Sequence, residues 1–95
     1  MNGALELISL FDLPRGHEGT VSSGDLAAAD DAARELALRL YEIGFVDGER
    51  VRVVARGFPG GEPIAVRVGG TIFALRRFEA ERVLVAPLRN GRAKS

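Results

Sequence analysis

Cysteine is absent from this 95-residue chain and histidine occurs once, at His17. The first absence excludes disulfide staples, thiolate nucleophiles and Cys-ligated zinc or iron–sulfur centres, and it fits a reducing compartment. The second excludes a His-based metal triad and leaves a Ser/His/Asp site a single loop position to be built around. No apolar run approaches the length of a membrane span, and no basic segment followed by an apolar stretch trails Met1, so a cytosolic protein is expected, neither secreted nor membrane-spanning. Phosphate-cradling motifs are missing too: there is no G-x-x-x-x-G-K-[ST], and no G-x-G-x-x-G opens a helix after a strand. Gly57, Gly60 and Gly61 read as turn residues, and Asp30 and Asp31 as the acidic start of a helix rather than an acid–base pair. Asp12, His17 and Glu18 offer at most an opportunistic divalent site, with His17 read as a solvated loop residue. These absences point away from an enzyme and away from any cofactor or resident metal, and toward a protein that works by binding a partner.

What the chain does have is a division of charge hidden under a formal net charge of zero. Residues 1–49 carry ten acids and three arginines, a balance of −7, whereas residues 50–95 carry nine arginines, Lys94 and three acids, a balance of +7. An acidic helix packed beside a basic barrel would satisfy both halves internally; a basic face reserved for an acidic partner is the alternative. Arginine supplies twelve of the thirteen basic residues, which suits bidentate contacts.

One domain is expected over residues 1–88, with 89–95 a basic tail, because a chain of this length holds one core. Residues 9–13 read as a lead-in helical turn stopped by Pro14, and 19–23 as a first short strand. Over 26–43 the apolar residues Ala29, Ala33, Leu36, Leu40 and Ile43 recur at helical spacing, with Asp31, Glu35, Arg39 and Glu42 opposite, Asp25 or Asp30 available as N-cap, and Gly44 as the stop. The period then changes to two. Val51, Val53 and Ala55 alternate with Arg52, Val54 and Arg56 over 51–56; Ile64, Val66 and Val68 alternate with Ala65 and Arg67 over 63–68; and the two-residue Gly69-Gly70 connection folds 71–76 back antiparallel. A single helical turn at 78–81 and a last strand at 82–85 complete the reading. About five short antiparallel strands and one helix make a mainly β domain, a small barrel with the helix over one open end. The expected core is Val51, Val53, Ile64, Val66, Val68, Phe73, Leu75, Val83 and Val85, with Leu36 and Leu40 packed on it.

Four segments carry a family resemblance: Leu10-x-x-Leu13-x-x-Gly16-x-x-Gly19-x-Val21; Leu40-x-x-Ile43-Gly44-Phe45-x-x-Gly48; Gly61-x-Pro63-Ile64-x-Val66; and Ala74-Leu75-Arg76-Arg77-x-x-Ala80. In this order they resemble FeoA, the small accessory proteins of ferrous iron transport, whose relatives include the C-terminal barrel of metal-dependent repressors. The resemblance covers roughly 10–85, and departs from the family pattern at Asp47, where proline is frequent, and in a longer acidic lead into the helix. It implies an SH3-like barrel and a cytosolic adaptor that contacts the cytosolic portion of FeoB, a membrane iron transporter with a GTP-binding domain. It supplies no catalytic residues. Gly16, Gly19, Leu40, Gly44, Gly48, Pro63, Leu75 and Ala80 match as structural positions.

Leu40, Ile43 and Phe45 read as core or as the lid on the barrel; the alternative for partner contact is that the helix and the 44–48 loop present Tyr41 or Phe45 as an aromatic anchor beside a basic stripe of Arg52, Arg56 and Arg67. Arg76 and Arg77 face the same choice between structure and partner contact: one of the two is expected to be solvated, and a salt bridge to Glu79 or Glu81 is the structural alternative. A regulatory barrel like that of the repressors is the runner-up function, weakened by the missing helix-turn-helix. A nucleic-acid binder using the basic half comes third, since the barrel offers only Phe58, Phe73 and Phe78 for stacking.

Overall fold

The computed structural model describes residues 6–22 and 30–88. Among the described residues six antiparallel strands form one curled sheet: β1 (Ile8–Ser9), β2 (Glu18–Val21), β3 (Arg50–Arg56), β4 (Ile64–Val68), β5 (Thr71–Leu75) and β6 (Leu84–Pro87). Their order in the sheet is β1-β6-β2-β3-β4-β5, which leaves β1 and β5 as its edges. A 3-10 turn, Leu10–Asp12, follows β1; helix α1 (Asp31–Ile43) lies between β2 and β3; and the short helix α2 (Arg77–Ala80) lies between β5 and β6. The fold is therefore mainly β with one principal helix, as the periodicity predicts, but with six strands in place of five.

Inward residues of β3, β4 and β6 alternate with outward ones, and Val51, Val53, Ile64, Val66, Val68, Leu75, Val83 and Val85 are buried together as expected. Phe73 is only partly buried against them. The core also takes in Leu10, Leu13, Val21, Phe45 and Ala80, which the two-residue period does not reveal. Leu10 and Leu13 enter from the 3-10 turn, where Ser9 Oγ accepts from the Phe11 amide at 2.9 Å and the Leu10 amide donates to Val83 O at 2.7 Å.

α1 begins where the Asp30 side chain accepts a hydrogen bond from Ala33 N at 2.8 Å, satisfying one of the free amides of the first turn. The expected helical residues 26–29, Ser23 of the expected first strand and the tail 89–95 lie outside the described residues. Leu40 is buried and Leu36 partly so, while Ile43, at the end of the expected stripe, is exposed. Gly44 closes the helix at φ 127°, and a Cβ there would press on Val68 Cγ1 at 3.1 Å, so both the backbone and the packing call for glycine.

Two registers differ from the alternation read in the sequence. Between Val53 and Ala55 the β3–β4 pairing shifts by one residue, a β-bulge at Val54. Because side chains alternate faces, one extra residue reverses every later assignment on the strand. Ala55, expected inward, is exposed and opposite Ala65; Arg56, expected outward, stands opposite buried Ile64. Pro87, expected beyond the last strand, is the final residue of β6 opposite Gly19. β1 covers only Leu84 and Val85, so the proline's missing N–H leaves no ladder bond unmade.

Candidate partner-binding surface

Strand register lays a row of side chains across the outer face of the sheet. Glu18 on β2 stands opposite Arg52 on β3, Arg52 opposite Arg67 on β4, and Arg67 opposite Ile72 on β5. Glu18 Oε2 accepts from Arg52 Nη2 at 2.7 Å and from Nε at 3.1 Å, and its other oxygen lies 3.9 Å from Arg50 Nη1. Arg52 is thus neutralised locally and held half-buried. Directly opposite like charges repel, so Arg67 gains nothing from Arg52. It is exposed, and among the described residues its side chain makes no ion pair or hydrogen bond. Beside it, Ile72 is 50% exposed, and the neighbouring row is Ala55, Ala65 and Ala74. The outer face of β4 and β5 is therefore an apolar patch carrying one uncompensated cation.

The nominated residues do not form one stripe. The bulge turns Arg56 over the end of the barrel, where Nη2 donates to Phe11 O and, at 2.9 Å, to Leu13 O. The Arg56 and Arg77 guanidinium carbons each lie 4.9 Å from the Phe11 ring centroid. Arg56 is in this way a clasp on the 3-10 turn rather than part of a basic stripe. Phe45 is 4% exposed and tilts onto Phe73 at 6.1 Å between centroids, so it fills the core, the first of its two expected roles, and does not project toward a partner. Tyr41 is 55% exposed on α1, near Leu38. Arg77 pairs with Glu81 at 2.7 Å, as expected; that hydrogen bond, together with the charge of Glu81, raises the guanidinium pKa above its ordinary value. Arg39 reaches Glu79 at 3.6 Å.

The family positions fall in turns, at strand contacts and in the core. Gly19 is buried so close to β6 that a Cβ would meet Val85 Cβ at 3.1 Å and Ala86 O at 3.2 Å. The Gly16 amide donates to Val53 O at 2.7 Å and the Gly48 amide to Val21 O at 2.8 Å. Pro63 O accepts from Gly57 N at 2.9 Å and closes the β3–β4 loop. Leu40, Leu75 and Ala80 are core residues. His17, read as a solvated loop residue, is half-buried, its carbonyl accepting from Val53 N at 3.2 Å. Among the described residues no three acids or histidines converge as metal ligands.

Two exposed features escape the sequence reading. Ile72 lies on a strand whose core residues, Phe73 and Leu75, draw attention to the other face. An open groove of about 720 Å³ runs between α1 and the α2 turn, with Leu36, Leu38 and Arg39 on one wall and Phe78 and Arg82 on the other. Neither has a motif; only the edge position of β5 and the separation of the two helices expose them.

The FeoA domain model matches residues 8–87, which is nearly the whole described fold. The chain belongs to the FeoA family. The crystal structure of Stenotrophomonas maltophilia FeoA complexed with zinc, described as a prokaryotic SH3 domain protein and a candidate ferrous iron transport activating factor, is 45% identical. It covers 88% of this chain and 99% of its own, with a TM-score of 0.69. The solution structure of FeoA from Chlorobium tepidum is 36% identical over 85% of this chain and 70% of its own, with a TM-score of 0.65. A manganese-dependent transcriptional repressor, 24% identical with a TM-score of 0.70, shares the fold over 90% of this chain and 44% of its own. No curated protein sequence matches the chain. FeoA membership makes this a ferrous iron transport-associated protein with an SH3-like barrel.

Proposed function

We propose that this FeoA-family protein is a non-catalytic cytosolic adaptor that binds the cytosolic portion of a FeoB-type membrane iron transporter and modulates it. Arg67 carries the reading: an exposed, unpaired cation set in an apolar patch of Ile72 and the alanine row, on a rigid sheet. Such a patch suits an acidic, partly apolar partner surface, with the charge acting mainly on association rate and specificity. No helix among the described residues is long and apolar enough to cross a membrane, which accords with a docking role beside the transporter rather than within it.

Titrating the transporter's soluble GTP-binding domain with the protein tests this. Binding should weaken as salt rises, because exposed charges are screened over about 8–10 Å at physiological ionic strength. Arg67→Glu should weaken it about 3- to 10-fold, equivalent to about 0.7–1.4 kcal/mol. Reversing Arg52 is the poorer test, since it would place a second acid against Glu18. Binding indifferent to both salt and Arg67→Glu would overturn the reading.

A further inference from the structure

Edge strands expose a row of unpaired backbone groups, and proteins blunt them by shortness, charge, proline, a bulge or a covering element. β5 uses none of these. It is five residues long, Thr-Ile-Phe-Ala-Leu, with no charge and no proline, and it pairs with β4 in unbroken register from Val68↔Thr71 to Ile64↔Leu75. The two-residue Gly69-Gly70 turn makes Val68 and Thr71 a hydrogen-bonded pair, so Thr71, Phe73 and Leu75 turn their backbone groups toward β4. Ile72 and Ala74 therefore turn theirs to the open edge, and among the described residues no loop, helix or side chain bonds to them. Their side chains are exposed on the outer face as well.

We infer that the β5 edge is a docking site for an extended acidic segment of a partner, which adds to the sheet as a seventh strand antiparallel or parallel to β5. Backbone bonds to Ile72 and Ala74 would supply the affinity, and side chains over the outer face the specificity. Charge selects the occupant. Across β4 and β5 Arg67 is the sole charged side chain, and there is no acid. Two copies meeting edge to edge would bring together two hairpins of the same sign, whereas a strand alternating apolar and acidic residues offers Arg67 its missing partner across Ile72. The inference rests on the protein's being a binding module, and not on the transporter's being the owner of the segment.

The test is solution NMR on the full, isotopically labelled chain with two octapeptides, one alternating valine with glutamate and one alternating valine with lysine. The glutamate peptide is expected to shift the Ile72 and Ala74 amides, to protect them from exchange, and to bind severalfold more tightly than the lysine peptide. Arg67→Glu should invert that preference. Ile72→Pro removes an N–H that faces solvent, so the barrel stays folded while the peptide is no longer bound; Ile72→Lys, which leaves the backbone intact, should weaken binding in the same direction. Shifts elsewhere, no preference between the peptides, or amides already protected in the free monomer would overturn the inference. So would a concentration-dependent dimer abolished by Ile72→Pro, which would assign the edge to a second copy. If the peptides bind as expected and the transporter domain does not, the edge stands and the transporter reading falls.

Discussion

At one side of the sheet β1 is two residues long, and what lies behind it is tied down several times over. Ser9 caps the 3-10 turn, Leu10 bonds to Val83, and Arg56 reaches across to the Phe11 and Leu13 carbonyls. At the other side β5 is longer, uncharged and bare, with Ile72 half exposed. The same sheet thus closes one edge with short length and side-chain bonds and leaves the other available. Side-chain ties are concentrated at the β1 side and the proposed recognition lies at the β5 side, and substitutions should separate the two.

The largest effect belongs to the core behind β1. Leu10 is fully buried, so Leu10→Ala should cost about 2–5 kcal/mol in urea or thermal unfolding, while Ile72→Ala on the open edge should stay within about 0.5 kcal/mol of wild type. Equal costs would erase the contrast. Next comes the clasp: Arg56→Ala leaves two carbonyls without their donor and should cost about 1–3 kcal/mol, whereas Arg67→Ala, which breaks no bond, should be close to neutral. A neutral Arg56→Ala would show that the 3-10 turn holds without it. Removing the cap by Ser9→Ala should cost about 0.5–1 kcal/mol, the lower end of the range for helix caps. The smallest effect is the exposed pair Arg77–Glu81, screened by solvent: Glu81→Gln should leave the thermal midpoint indistinguishable from wild type.

Much of the fold was legible because its signals are local. Alternation in 51–56 and 63–68, the Gly69-Gly70 spacing and the Leu36/Leu40 stripe each follow from one element's own periodicity. β1 escaped because two residues, Ile8 and Ser9, are too few to show a period. Leu10 and Leu13 escaped for a related reason: a 3-10 turn has no repeat to mark its inward side. The bulge at Val54 has no glycine or proline to announce it, and a single inserted residue moved Arg56 from the expected outer stripe to the barrel end. Phe45 was legible as core or lid, since an apolar residue just past a glycine-terminated helix tends to fold back onto it, and its burial removes the alternative of an aromatic anchor for a partner. Arg67 and Arg52 could be placed outward from sequence, but which of them remains unpaired depended on Glu18 arriving from a strand far away in the chain.

The most direct measurement is amide chemical-shift mapping of the labelled protein against the unlabelled soluble portion of a FeoB-type transporter. The expected result is a set of perturbations concentrated at Arg67, Ile72 and Ala74 and diminished by Arg67→Glu. Perturbations confined to Leu38, Phe78 and Arg82 around the helical groove, with β4 and β5 silent, would contradict it.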